Sequence, residues 1–367
     1  MLKKMLTGLT GLACLMIASL AVAAGVSAHY KIVTGQERGT YIQIGADLAK
    51  YVAQPAGIDL EVMPSKGSAE NVQRMRFEPG VKLALVQSDV YQAYIDMANS
   101  GNADAGTTIR PLRLIMPLYN EEIYFVVRDD SSMKTINEIK DKVISIGPIG
   151  SGTAQSSTTL YHLMFNQPIP EQNVQSLSNE DAIAALVVKK IDVAVIVAGQ
   201  PAKLFTDMNP DLLAQIRILR ADPNAAETTR AKETYFPATI RQSSYPNWLK
   251  EDVPTLTVKA FLVTYDYGLR DTVSNLNRFA DSLCENFDVL QEKGHPKWKQ
   301  VKLELPPLTK GWQYYPPIER HLRSCIARRA SMPAGGATAA VQQQPAAPKV
   351  NKRPCSDQER LLLLCGK

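Results

Sequence analysis

Thr34-Gly35-Gln36-Glu37-Arg38-Gly39-Thr40-Tyr41 and Gly147-Pro148-Ile149-Gly150-Ser151-Gly152-Thr153 are two versions of one loop. Each follows a short apolar, β-branched run (Ile32-Val33; Val143-Ile144-Ser145-Ile146) and leads into a segment of helical periodicity. A strand, a glycine turn, a hydroxyl residue and a helix, in that order, aim unpaired backbone N–H groups and the positive end of a helix dipole at one point. Two such corners on separate halves of a chain predict a carboxylate or phosphate held between lobes. Neither loop carries a catalytic group. The second has the glycine spacing of a P-loop, Gly147 to Gly152, but Thr153 stands where the phosphate-reaching lysine is required. Ser151 also lacks the Gly-x-Ser-x-Gly frame of a nucleophile elbow.

Outward from these loops, residues 31–128 alternate strand and helix. Strands are expected at Lys31–Thr34, Asp59–Met63, Lys82–Val86, Leu112–Leu118 and Ile123–Val127, with helices at Tyr41–Ala53, Ser68–Arg76 and Asp89–Ala98. The pattern restarts after Asp129-Asp130-Ser131. A helix near Ile136–Lys140 leads to strand Val143–Ile146, helix Ala154–Phe165, strand Val174–Leu177, helix Asp181–Lys189 and strand Asp192–Val197. Strands at Ile216–Leu219, Tyr235–Ile240 and Thr257–Val263 and a long helix over Asp271–Leu290 follow. Alternation at this spacing means a parallel-type sheet flanked by helices. A third corner, Ser65-Lys66-Gly67-Ser68, opens a helix with Ser68 as N-cap candidate, and Gln87-Ser88-Asp89 ends a strand with Asp89 as helix cap. Ala198-Gly199-Gln200-Pro201 ends a strand of the second half in the same way.

The ends of the chain differ from its body. Lys3, Lys4 and the apolar run Leu6 to Val22 read as an export signal over residues 1–28, cleaved after Ala28 or after Ala23. The formal charge is +5, and +3 without Lys3 and Lys4. Residues 327–367 hold seven basic residues against Asp357 and Glu359, which leaves a body of −2 and gives no case for a nucleic-acid partner. Residues 327–350 read as a flexible linker and 351–367 as a basic, cysteine-containing tail. A body of roughly 300 residues exceeds one usual core and favours two lobes. His29, His162, His295 and His321 show no metal spacing, and no residue pattern calls for a cofactor. Four cysteines remain after cleavage. Ser356-Asp357-Gln358-Glu359 is a capping box for a helix that would hold Cys355 and Cys365 too far apart to bridge, so Cys284 with Cys325 is the preferred pair.

Several motifs occur in a fixed order: Thr34-Gly35 to Gly39-Thr40-Tyr41, Gly67-Ser68-Ala69-Glu70-Asn71, Leu85-Val86-Gln87-Ser88-Asp89 and Gly147-Pro148 to Thr153. Gly199-Gln200-Pro201, Tyr235-Phe236-Pro237-Ala238-Thr239-Ile240, Ser244-Tyr245-Pro246 and Asp252-Val253-Pro254-Thr255 complete the set. From about Tyr30 to about Cys325 the chain resembles the TAXI family of solute-binding proteins, receptors of one branch of TRAP transporters. The departures are Arg241-Gln242-Ser243-Ser244 in place of a Pro-Ala-Gly-Thr-like turn, and the added tail.

The resemblance implies an α/β, two-lobed type II periplasmic binding protein whose hinge is crossed twice. Lobe I would span 29–125 and 255–326, and lobe II 126–254. It implies a periplasmic receptor, not an enzyme, that binds a small organic acid of dicarboxylate or acidic amino acid type and delivers it to TRAP transporter membrane subunits. The expected anchors are Gly39, Thr40, Tyr41, Ser68, Gln87, Ser151, Gly152, Thr153 and, closing from the second lobe, Gln200. The added tail motivates an alternative, a ligand-sensing envelope adaptor that signals through a protein partner, and suggests envelope contact.

Overall fold

The computed structural model describes residues 28–232, 234–308 and 311–331. Its first half runs β1 (Ala28–Val33), α1 (Thr40–Leu48), β2 (Ile58–Met63), α2 (Ser68–Phe77), β3 (Val81–Gln87), α3 (Ser88–Asn99), α4 (Ala103–Ile109) and β4 (Leu112–Arg128). The second half runs β5 (Ile144–Ser145), α5 (Gly152–Phe165), β6 (Val174–Gln175), α6 (Asn179–Val187) and β7 (Val193–Ala198). Short helices α7 (Lys203–Thr206) and α8 (Pro210–Leu213), then β8 (Ile216–Ile218), α9 (Ala226–Ala231) and β9 (Phe236–Ile240), complete it. Strand β10 (Val253–Tyr265) returns the chain to the first half, where α10 (Arg270–Glu285), α11 (Phe287–Lys293) and α12 (Pro316–Ser331) pack.

One sheet has the order β2-β1-β3-β10-β4-β7-β5-β6, with β8 on β4 and β9 on β10. Strand β1 is parallel to β2 and β3, and β5 is parallel to β6 and β7. Parallel neighbours need long crossovers, which α1, α2, α5 and α6 supply. Strands β4 and β10 run antiparallel to each other and to β3 and β7. They are the two strands common to both halves, and this is the two-lobed type II periplasmic binding-protein fold.

The cores show where the lobes divide. Buried residues of β4 up to Tyr119 and of β10 from Ala260 onward belong to the first core. Ile123, Phe125, Val127, Leu256 and Val258 belong to a second, while Tyr124, Val126 and Val253 pack into a third on the opposite face of the same sheet. That alternation is the two-residue period of a strand. A division drawn at 125 and 255 therefore falls inside the second lobe's core. The change of core lies at Asn120-Glu121-Glu122 on β4 and at Lys259 on β10, where the ladder also slips register between Lys259 and Phe261.

Two strands were expected within residues 112–127, and the structure has one. Polar residues at 120–122 interrupt the apolar run, so the sequence looks like two strands although the backbone ladder continues across the gap. The opposite happens at Asn286: a single helix was expected over Asp271–Leu290, and the structure breaks it into α10 and α11. The first strand begins at Ala28, paired with Ile58, so it starts on the last residue of the expected leader. Helix α12 extends to Ser331, five residues into the expected linker, because the Arg329 guanidinium bonds both Asp288 oxygens and Cys284 O. The rest of the leader, the linker and the Cys355–Cys365 segment lie outside the described residues.

Cys284 of α10 and Cys325 of α12 form a disulfide, buried in the first core. This is the pair expected from the sequence. The bond closes a loop with a sequence separation of 41, for which chain entropy suggests about 4 kcal/mol of stabilisation. Replacing both cysteines with alanine is expected to lower unfolding free energy in urea by roughly 2–4 kcal/mol. Mass mapping without reductant should recover Cys284 joined to Cys325.

Candidate functional site

Three helix N-termini meet at one cavity of about 50 Å³ between the halves. Helix α1 brings Gly39, Thr40 and Tyr41, α2 brings Gly67 and Ser68, and α5 brings Ser151, Gly152 and Thr153. Each helix leaves its first-turn N–H groups without intrahelical acceptors, and each dipole adds positive potential at the same place. Arg38 and Lys66 add two cations to the lining, while Gln87, Glu121 and Asn179 supply side-chain carbonyl and carboxyl oxygens. In this conformation the space suits only a few water-sized atoms, at about 10–15 Å³ each.

Eight of the nine expected anchors line this cavity, and their hydroxyls are spent differently. Ser151 is the N-cap of α5, its Oγ accepting from Ala154 N (2.9 Å). Ser68 is not a cap. Gly67 holds the N-cap position of α2, and Ser68 Oγ accepts from Gln87 N (3.0 Å). Thr40 Oγ1 donates to Gly199 O (3.0 Å) and accepts from Gly199 N (3.1 Å), so it ties the halves together. The Tyr41 hydroxyl and Gln87 Oε1 are buried with no hydrogen-bond partner.

Gln200, the ninth, is not in the lining. Its Nε2 donates to Glu122 Oε1 and Thr239 O, and its Oε1 accepts from Arg241 N and Ser244 Oγ. With all four valences used inside the protein, it braces the hinge.

The halves are closed on one another. Glu70 N donates to Gly150 O (2.8 Å) and Asn179 N to Gln36 Oε1 (3.2 Å). Asp89, expected as a helix cap, does something else: Gln87 holds the N-cap position of α3, and Asp89 Oδ2 accepts from Ser156 Oγ (2.6 Å) and Tyr235 OH (2.8 Å). Those hydroxyls come from the other half, so Asp89 is an inter-lobe latch. Burial, opposed by these two hydroxyl donors, pushes its carboxyl above the usual range. Gly152 makes the approach possible, because a Cβ there would lie 1.9 Å from Gln87 Oε1. Gly147, at φ +87°, lets α5 begin tight against the loop, with Thr153 filling the space a Cβ would need.

Glu121 and Glu122 were not anticipated. They are adjacent on β4 at the lobe crossing and are both 3% exposed. Glu122 accepts from Lys297 Nζ (2.7 Å), Gln200 N and Gln200 Nε2. Glu121 faces the cavity, within 3.3 Å of Gln87 Nε2. Burial pushes its carboxyl up to about 8, against the opposite pull of Tyr41, Gln87 and Lys297. The signal in the sequence was the polar triplet inside an otherwise apolar strand. Among the described residues, no group of three or more His, Cys, Asp or Glu is placed to hold a metal ion, and no helix is long and apolar enough to cross a membrane.

The sequence profile of the NMT1-like family matches residues 32–310, most of the chain and all of the site. The chain belongs to the NMT1-like family. That family is of periplasmic solute-binding type. Solved structures with a similar chain path include a protein from Bordetella bronchiseptica RB50, at 14% identity over 84% of this chain and 86% of that one, with a TM-score of 0.44. The substrate-binding protein of an amino acid ABC transporter is 13% identical over 73% and 100%, with a TM-score of 0.43. The arginine-, lysine-, histidine-binding protein ArtJ from Geobacillus stearothermophilus is 12% identical over 74% and 100%, with a TM-score of 0.42.

The buried Glu121 makes stability depend on pH. Its folded value lies above the ordinary 4.5, at about 8, so between those two the folded state binds more protons than the unfolded chain, and stability falls as pH rises. Glu121→Gln keeps the shape of the neutral acid and removes this dependence. Melting curves of ligand-free protein at pH 5.5 and 8.5 should show a smaller loss for the variant, by an amount worth a few kcal/mol.

Proposed function

We propose that this protein is a periplasmic receptor of TAXI type that binds a small organic acid and delivers it to the membrane subunits of a TRAP-type transporter. The observation that carries the reading is the convergence of three helix N-termini on one cavity between two lobes. Fixed N–H dipoles hold an anion without an obligatory arginine, and exclusion of water on ligand binding strengthens each bond. The ordered TAXI-like motifs supply these same corners: Gly39-Thr40-Tyr41, Gly67-Ser68 and Gly150-Ser151-Gly152-Thr153. A dicarboxylate or acidic amino acid needs more room than the closed cavity gives, so the lobes part on β4 and β10 to admit it. Gly199 and Asp89 then mark where they meet again.

The basic segment beyond Ser331 is proposed to touch anionic envelope surfaces, at about 1 kcal/mol per basic residue close to the membrane. Full-length protein should sediment with anionic vesicles in low salt, and a chain ending at Ser331 should not. Equal sedimentation would remove this role.

The receptor reading is tested by a thermal-shift screen against di- and monocarboxylates, hydroxy acids and amino acids, where saturation at 100 times the dissociation constant adds about 2.7 kcal/mol. Thr153→Val retains the packing on Gly147 but deletes a hydroxyl at the start of α5. It should weaken the binding of the acid by roughly 1–3 kcal/mol in titration calorimetry. Unchanged affinity would take this corner out of the site.

A further inference from the structure

A carboxyl group lines a cavity whose other features favour an anion. The N-termini of α1, α2 and α5, with Arg38 and Lys66, give that cavity its positive potential. Glu121 lines it too and is 3% exposed. The two adjacent glutamates differ in their partners. Glu122 has an ion pair with Lys297 (2.7 Å), whereas among the described residues Glu121 has none, and its Oε2 accepts from Gln87 Nε2 at 3.3 Å. An anion brought against an ionised, buried and unpaired carboxylate meets a like charge in a medium that screens it poorly. The contact turns attractive when the carboxyl keeps its proton, because a carboxylic acid is then an O–H donor to the incoming carboxylate.

We propose that Glu121 meets the bound acid as a neutral carboxyl group and donates a hydrogen bond to it, so that the complex holds one proton with each molecule of acid. This rests on the receptor reading above and adds a proton to what the site must hold. The Tyr41 hydroxyl, buried and without a partner, stands beside Glu121 and gives the same wall a second O–H donor. Glu122 takes no part. Adjacent strand residues point to opposite faces, and Glu122 is already engaged by Lys297 and Gln200.

The groups packed around Glu121 set the pH range in which the proton matters. Tyr41 from α1 and Tyr119 on its own strand are pushed well above the ordinary phenol range by burial, so both remain neutral. Gln87, at the head of α3, is neutral, and Arg38 and Lys66 are cations of the lining. Lys297, from the segment between α11 and α12, is lowered by burial against the pull of Glu122, on the far face of the strand. Lys259 of β10, brought down to about 8 by burial, pairs in register with Asn120 and so shares that far face. Burial holds Glu121 itself up at about 8. It carries its proton at neutral pH, and above about 8 the empty site must take the proton from solvent before it donates. Affinity for the acid therefore falls as pH rises through about 8.

The test uses the mature full-length protein and titration calorimetry with succinate, glutarate, lactate, 2-oxoglutarate and L-glutamate at pH 7 and pH 9. Those that bind at pH 7 should bind about tenfold more weakly at pH 9, the loss expected of a donor that titrates at about 8. Glu121→Gln presents an amide N–H donor at every pH and retains the titration of Lys259, so it should reduce this loss to under about threefold. Infrared difference spectra of the wild type at pH 9, with and without isotope-labelled acid, should show a carboxylate band replaced by a protonated-carboxyl band. That signature stands even if the variant fails to fold. Equal affinity at the two pH values, an equal loss in Glu121→Gln, or no protonated-carboxyl band overturns the proposal and leaves the receptor reading in place. No binding by any of the five acids at pH 7 overturns both.

Discussion

Glu122 and Lys297 form the buried ion pair on which the lobe crossing depends. A carboxylate and an ammonium, 3% and 0% exposed, are tolerable inside a protein only if each is fully engaged. Lys297 Nζ meets Glu122 Oε1, Asn120 O and Gln300 Oε1, and Gln200 of the second lobe fills the remaining carboxylate positions. Three stretches that are remote in sequence, around 122, 200 and 297, are thereby fixed at one point. Because strand residues alternate faces, pinning Glu122 on one side sets Glu121 on the other. Two neighbouring carboxyls thus have separate fates, one neutralised by a lysine and one left facing the cavity.

The rest of the site follows from where the strands end. Strands β1, β2, β3 and β5 each deliver a loop to the same region, and the helices that follow begin there. Tight turns at Gly67 and Gly147, and the lack of a side chain at Gly152, let those helix starts crowd together. The close contact between Gln87 and Gly152 ties lobe closure to the cavity itself, since both residues line it. Closure and the shape of the ligand space are one geometric variable here.

Much of this was legible in the chain. The glycine corners gave the positions of α1, α2 and α5 because a strand-turn-helix junction leaves a local residue signature. The paired cysteines followed from the length of a helix. The crossing was not legible, for a physical reason. Asn120-Glu121-Glu122 resembles a loop to any reading based on burial, yet backbone pairing with β10 and β7 holds it extended. The roles of Asp89 and Gln200 depend on partners 67 to 146 and 39 to 78 residues away. No local pattern encodes contacts of that range, so a cap and a ligand anchor were reasonable local readings of residues that serve as a latch and a brace.

The two long strands also order the assembly of the molecule. The second lobe's cores draw on residues between Ile123 and Val258 without interruption. The first core needs Tyr30 through Tyr119 together with Ala260 through Cys325, including Phe279, Trp298 and Trp312. A chain emerging from its N-terminus therefore presents the first lobe's sheet early but completes its core last. The lobe in the middle of the sequence has all its parts sooner, with shorter loops to close. Until β10 and the segment around Trp298 arrive, β3 lacks its neighbour strand and the first core stays incomplete, the kind of apolar surface that chaperones recognise in a growing chain.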